Sequence, residues 1–147
     1  MYNFGNRSLS KLETCHSDLQ LIMQTAIKRS CIDFGISEGY RSLERQKRLY
    51  DDGKSKIDGV SRKGKHNSNP SMACDIFAYH PNIHTRKKIA YNVPTLSFIA
   101  GIVVSVSKEL KEKGLITHSI RWGGNWDNDG IILLDQNFDD LPHFELI

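Results

Sequence analysis

The sequence predicts an α+β fold: a small antiparallel sheet flanked by helices. Three observations predict it. Apolar residues repeat at helical spacing early in the chain, and a stronger helical stripe runs from about residue 96 to 110. Short, turn-linked strand candidates dominate the C-terminal part.

From about Leu9 to Arg29 the chain reads as helix, because Leu19, Ile22, Met23, Ala26 and Ile27 recur at i, i+3, i+4. "CIDFGISEGY" then alternates, with Ile32, Phe34 and Ile36 on one face of a strand. Ser42 is a candidate N-cap for the helix "LERQKRLYDDG", which Gly53 ends. Residues 54–72 are rich in Lys, Ser, Gly and Asn and read as a loop long enough to suggest function. "ACDIFAY" follows as a short strand with Ala73, Asp75 and Phe77 on one face. Thr95 is the expected cap of the clearest helix, whose stripe is Leu96, Ile99, Val103, Val106 and Leu110 and whose stop is Gly114. Three strand candidates close the chain: "SIRWGG", "GIILL" and "PHFELI".

The length of 147 residues suits one domain, and no linker, repeat or low-complexity tract divides it, so a single domain over 1–147 is expected. An apolar share of 39% with 25% charged residues excludes a disordered chain. The net charge of +3 is a mild pointer to anionic partners such as nucleic acid or a cell-wall polymer. Cys15, Cys31 and Cys74 form no CxxC pair, so reduced thiols are expected rather than a disulfide framework or a cysteine zinc cluster. The N-terminus lacks the apolar stretch of a signal peptide. The greasiest run, "LSFIAGIVVSV", is about half of what a bilayer crossing needs, so no membrane insertion is expected.

One set of residues suggests chemistry. Zinc hydrolases use three ligands drawn from His and carboxylate, and the metal lowers the pKa of a water towards about 7. A carboxylate off the metal then takes that water's proton. His66, Asp75 and His143 are candidate ligands, with Asp140 as the base. A helical HExxH is absent, and Pro142 lies inside the DxxH unit, which requires a loop and a strand start instead. On the residues alone, a core histidine at 143 and a turn-capping or lysine-paired Asp75 remain alternatives.

Four blocks in order narrow this choice: "EGYRSLERQKRLYDDGKSK", "KHNSNPSMACDIF", "RWGGNWDNDG" and "DDLPHFELI". They resemble the hallmarks of a peptidase family: "GYRS…Q…LY…G", a His followed by "A-x-D", "WGG-x-W", and "D/E-x-P-H-F-E". That family comprises D-Ala-D-Ala dipeptidases, zinc D,D-carboxypeptidases of the cell wall and phage L-alanyl-D-glutamate endolysins, which share the D-Ala-D-Ala carboxypeptidase/hedgehog-like fold. The likeness spans roughly residues 30–147. It implies one catalytic Zn2+ on His66, Asp75 and His143, Asp140 as general base, and Arg41 stabilising the tetrahedral intermediate. A guanidinium suits that last role, being permanently charged and a forked donor. Two departures stand out. Eight residues separate His66 from Asp75 where the family commonly has six with a Gly among them. Gly64 stands where many relatives carry Ser, which removes a possible supporting hydrogen bond.

The resemblance implies hydrolysis of an amide bond in the peptidoglycan stem peptide, with the L-alanyl-D-glutamate bond favoured over D,D-carboxypeptidase or D-Ala-D-Ala dipeptidase action. A non-catalytic metal-bearing wall-binding or virion module is the rival from another class. Without a signal peptide, a phage-type endolysin is expected: made in the host cytoplasm, released through membrane lesions and acting on the wall. A monomer is the default. The basic run "KSKIDGVSRKGKH" lacks the interleaved aromatics and the groove-entering helix of a nucleic-acid reader, so no nucleic-acid partner is expected. "HPNIH" is a poor ligand pair because Pro81 disfavours a helix presenting both histidines, and His16 and His118 read as exposed or capping residues. Trp122 and Trp126 suit either cleft or core. In the Asn125–Gln136 stretch, Asn125, Asp127 and Asp129 alternate before Gly130 like a Ca2+ loop, but Gln136 replaces the terminal Glu, and an Asp-Gly hairpin turn is the competing reading.

Overall fold

The computed structural model describes residues 1–132 and 139–147. The chain begins with α1 (Asn6–Leu12) and α2 (Ser17–Arg29), two helices where the periodicity predicts one from Leu9. The break has a tertiary cause. Ser71 N donates to Thr14 O and His16 N to Ser71 O, so the backbone at 14–16 is committed to a distant segment. The His16 imidazole then accepts the Asp18 N–H at 3.1 Å and caps α2.

β1 (Phe34–Glu38) leads into α3 (Leu43–Asp51), where the Ser42 hydroxyl accepts the Arg45 N–H as the expected cap. The long loop over 54–72 holds a single 3-10 turn at Lys65–Asn67, and β2 (Ala73–Ala78) follows it. α4 (Ile83–Ile89) is a short helix unforeseen in the sequence, capped by Asn82. α5 (Val93–Glu112) is capped by Asn92 rather than by Thr95: the Asn92 side chain accepts the Thr95 N–H at 3.0 Å, which makes Thr95 the third helical residue. It spans 20 residues, and an 18-residue stretch within it has mean hydropathy 1.4, so it is long and apolar enough to cross a membrane by length and composition. Its Leu96–Ile99–Val103–Val106 stripe is instead buried in the core.

β3 (Ile120–Trp122) and β4 (His143–Leu146) complete an antiparallel sheet in the order β1-β2-β4-β3. The "GIILL" strand candidate lies partly outside the described residues; Ile131 and Ile132, its described part, are exposed and outside any strand. One sheet face carries Phe34, Ile36, Cys74, Ile76, Phe144 and Leu146 into a core shared with α2 and α5. Strand alternation sends the intervening residues to the opposite face, where the site lies.

Candidate active site

Register across the sheet brings the polar residues together. Asp75 on β2 pairs directly with His143 on β4, and Arg121 on β3 pairs with Glu145. On the other side a bulge intervenes: Ile36 opposes Ile76, but Glu38, not Ser37, opposes Asp75. The extra residue turns Glu38 onto the site face, where unbroken alternation would aim it at the core. His66 arrives from the 3-10 turn of the long loop and is buried.

The turn that delivers Asp140 and His143 is clamped by the "WGG" segment. Asp140 N donates to Gly123 O, Gly123 N to His143 O, and the Trp122 indole N–H to Leu141 O, at 2.9, 2.8 and 2.7 Å. A Cβ at Gly123 would lie 2.1 Å from Asp140 O, so only glycine permits this approach. Pro142, which excludes a helix here, sits in the turn closed by His143 N donating to Asp140 O, and its carbonyl accepts the Ile76 N–H.

The imidazole orientations follow from their outer partners. His66 Nδ1 lies 2.7 Å from Gly39 O, a pure acceptor, so Nδ1 carries the proton and Nε2 turns its lone pair inward. His143 Nε2 lies 3.0 Å from Glu145 Oε2, which leaves Nδ1 facing inward. Asp75 Oδ1 stands 3.1 Å from His66 Nε2 and 3.0 Å from His143 Nδ1, and the two ring nitrogens are 3.2 Å apart. Three lone-pair atoms thus converge within 4.8 Å, an arrangement that requires a shared proton or a cation. The electrostatics agree. Burial alone would lower the pKa of His143, but hydrogen bonds to Asp75 and Glu145 and the charges of Asp75 and Asp140 lift it to about 9. Burial would raise the Asp75 carboxyl, yet the two imidazoles hold it far below the usual range. Asp140 goes the other way: burial and the Asp75 charge raise it, against the pull of His143, His66 and Arg41.

Asp140 Oδ2 sits 4.0 Å from His143 Nδ1, beside the convergence point. Arg41 reaches the same place from the β1–α3 connection. Its Nη2 lies 2.8 Å from Glu38 Oε2 and 3.5 Å from Asp75 Oδ2, and Nη1 donates to Gln46 Oε1 at 3.0 Å. Its buried Nε has no hydrogen-bond partner among the described residues. All five residues singled out in the sequence, His66, Asp75, His143, Asp140 and Arg41, line one open cleft of about 640 Å³. Trp126 lines it too, with its ring 5.3 Å from that of His143, whereas Trp122 is a core residue. His84 lies in the first turn of α4 and His80 just before its cap, and neither lines the cleft.

Sequence reasoning left several supporting residues unassigned. Glu145 is buried, accepts from His143 and is ion-paired with Arg121; its signal was the period-2 spacing His143–Glu145 on a strand. Glu38 was hidden by the bulge. Gln46 is buried and ties Arg41 to the long loop through Ser55 Oγ and Ile57 O. A second cluster, His16, Asp18 and His118, also gathers ligand-type atoms. There Asp18 Oδ2 is already satisfied by the Thr117 and His118 N–H groups and the His118 ring, while His16 Nδ1 is spent on its cap.

Among solved structures the chain is similar to the L-Ala D-Glu endopeptidase ChiX of Serratia marcescens, with a TM-score of 0.74 and 25% sequence identity over 99% of this chain and 90% of that one. No curated protein is matched in sequence. The family of phage L-alanyl-D-glutamate peptidases is matched across residues 1–147, and the chain, a peptidase, belongs to that family.

Proposed function

We propose that the protein is a zinc endopeptidase that cuts the L-alanyl–D-glutamate bond of the peptidoglycan stem and serves as a phage endolysin. One observation carries the zinc reading: three inward lone pairs from two imidazoles and a carboxylate, each imidazole held from behind by its own acceptor. This donor set fits zinc, and the burial of His66 and His143 at the floor of an open cleft fits a catalytic rather than a closed structural site. A zinc ion held there supplies Lewis acidity and brings the pKa of a water down to about 7.

The chain's own groups do the rest. Asp140, with its raised pKa and its place beside the ligands, takes the proton of the attacking water and hands it to the leaving amine. Arg41, anchored by Glu38 and Gln46, offers fixed positive charge and an unspent Nε–H to the developing oxyanion. Trp126 supplies an apolar wall to the cleft.

The test is the masses of muropeptides released from purified wall by metal-depleted and zinc-restored protein. Cleavage between alanine and glutamate only after zinc is restored is expected; loss of terminal D-alanine alone would establish the carboxypeptidase instead. His143→Ala is expected to lose bound zinc, and stoichiometric zinc in that variant would refute the ligand assignment.

A calcium site at Asn125–Gln136 is a second, separate proposal. The Asn125 side-chain N–H group donates to Asp127 Oδ1 at 3.0 Å and to Asp129 Oδ1 at 3.3 Å, so the three side chains already gather at alternating positions, and a cation there would take the amide oxygen in place of that N–H. Gln136 lies outside the described residues. Calcium titration of activity, with Asp129→Ala losing any response, tests it.

A further inference from the structure

The cleft has two electrically different walls. Its acidic members, Asp75, Asp140 and Glu145, belong to the sheet and the turn entering it, whereas the long loop contributes Lys54, Lys56, Arg62, Lys63 and Lys65 and no acid. Asp58 is the loop's one acidic residue, and it is spent internally: Oδ1 accepts the N–H groups of Val60, Ser61 and Arg62 at 2.9, 3.0 and 3.1 Å, and Oδ2 accepts the Ser61 hydroxyl. Among the described residues no carboxylate pairs with Lys54, Arg62 or Lys63.

The loop is also built, not draped. Gln46 Nε2 donates to Ser55 Oγ at 2.8 Å and to Ile57 O at 2.7 Å, while its Oε1 accepts from Arg41. One buried amide therefore fixes the basic wall to the arginine at the reaction centre.

The chemistry of the bond supplies the complement, resting on the endopeptidase reading above. The leaving nitrogen of an alanyl–glutamate bond belongs to glutamate, which has two carboxyl groups. Only one can continue the peptide, so a free carboxylate remains a few bonds from the leaving nitrogen. We propose that Lys54, Arg62 and Lys63 recognise this carboxylate, and that the loop selects glutamate over its amidated form on the leaving side of the cut. Cations on a partly exposed wall give about two- to fivefold each, so the three together amount to roughly tenfold or more in kcat/KM.

The test measures kcat/KM of the zinc-loaded protein on two muropeptides that differ only in whether the glutamate carboxyl is free or amidated. Wild type is expected to prefer the carboxylate about tenfold, with the preference shrinking as salt rises. In Lys54→Gln/Arg62→Gln/Lys63→Gln the ratio is expected to fall towards one, and Lys63→Glu to lower it further than Lys63→Gln does. Arg86→Gln/Lys87→Gln/Lys88→Gln on α4, an equal charge loss away from the cleft, keeps the wild-type ratio. An unchanged ratio in the triple variant, or none in wild type, overturns the proposal while leaving the peptidase reading intact. Cleavage of neither muropeptide between alanine and glutamate overturns the endopeptidase reading itself, and this proposal with it.

Discussion

Removing the carboxylate behind His143 should weaken the proposed zinc site without touching a proposed ligand. Glu145 accepts from His143 Nε2 at 3.0 Å, is 6% exposed and is anchored on its other oxygen by Arg121. Its loss has two consequences. The ring is free to rotate or change tautomer, so Nδ1 no longer points reliably inward, and the imidazole becomes a poorer electron donor. Groups in this supporting position are worth about 10–100-fold in metal affinity, or roughly 1.4–2.7 kcal/mol. Glu145→Gln keeps the shape and an acceptor oxygen but removes the charge, so the lower end, about tenfold, is expected. Glu145→Ala leaves a buried N–H unpaired and should approach 100-fold, with about 1–3 kcal/mol of stability lost as well. Zinc affinity, measured by competition with a chromophoric chelator, reads the first effect; urea unfolding of zinc-free protein reads the second. In zinc-free protein the His143 pKa of about 9 should also fall towards 6.5 in both variants. Wild-type zinc affinity in Glu145→Ala, or an unmoved His143 titration, would refute the reasoning.

Asp140→Asn should keep stoichiometric zinc yet lose about 10²–10⁴ in kcat, because it removes the proposed proton acceptor and none of the proposed ligands; wild-type turnover would eliminate Asp140 as base. Gly123→Ala places a methyl 2.1 Å from Asp140 O, so a loss of about 1–3 kcal/mol or more is expected in thermal unfolding, with activity falling as the Asp140 turn is displaced; unaltered stability would show that the clamp is dispensable. His143 is raised from 6.5 to about 9 in zinc-free protein. A raised group stabilises fully below pH 6.5 and loses that contribution as pH climbs through about 9, so unfolding free energy should drop by up to about 3 kcal/mol over that window. The drop should vanish in His143→Ala, and equal slopes for the two proteins would contradict the assignment.

Much of the site was legible because its information is local. The Ser42 cap, the alternation that sets Asp75 apart from Cys74 and Ile76, and the Pro142 that excludes a helical zincin each depend on a few neighbouring residues. The larger misreading has the opposite character. The helix expected from Leu9 breaks at 14–16 because that backbone bonds to Ser71, more than fifty residues away. Asn92 takes the cap expected of Thr95, as several polar residues near a helix start compete for one role.

By itself the sequence determined the α+β class, the residue types available for a metal and a base, and the four ordered blocks that point to a peptidase. Only the tertiary structure decided how they meet. The bulge at Ser37 sets Glu38 opposite Asp75, the β2–β4 register sets Asp75 opposite His143, and the Gly123 clamp sets Asp140 beside them. Likewise Glu145 acquires its role only when β4 fixes the face that His143 shares with it, and Gln46 helps to hold the basic loop as a cleft wall. The physical reason is common to all of these. Register, bulges and side-chain clamps are contacts between segments distant in sequence, whose geometry no local spacing encodes.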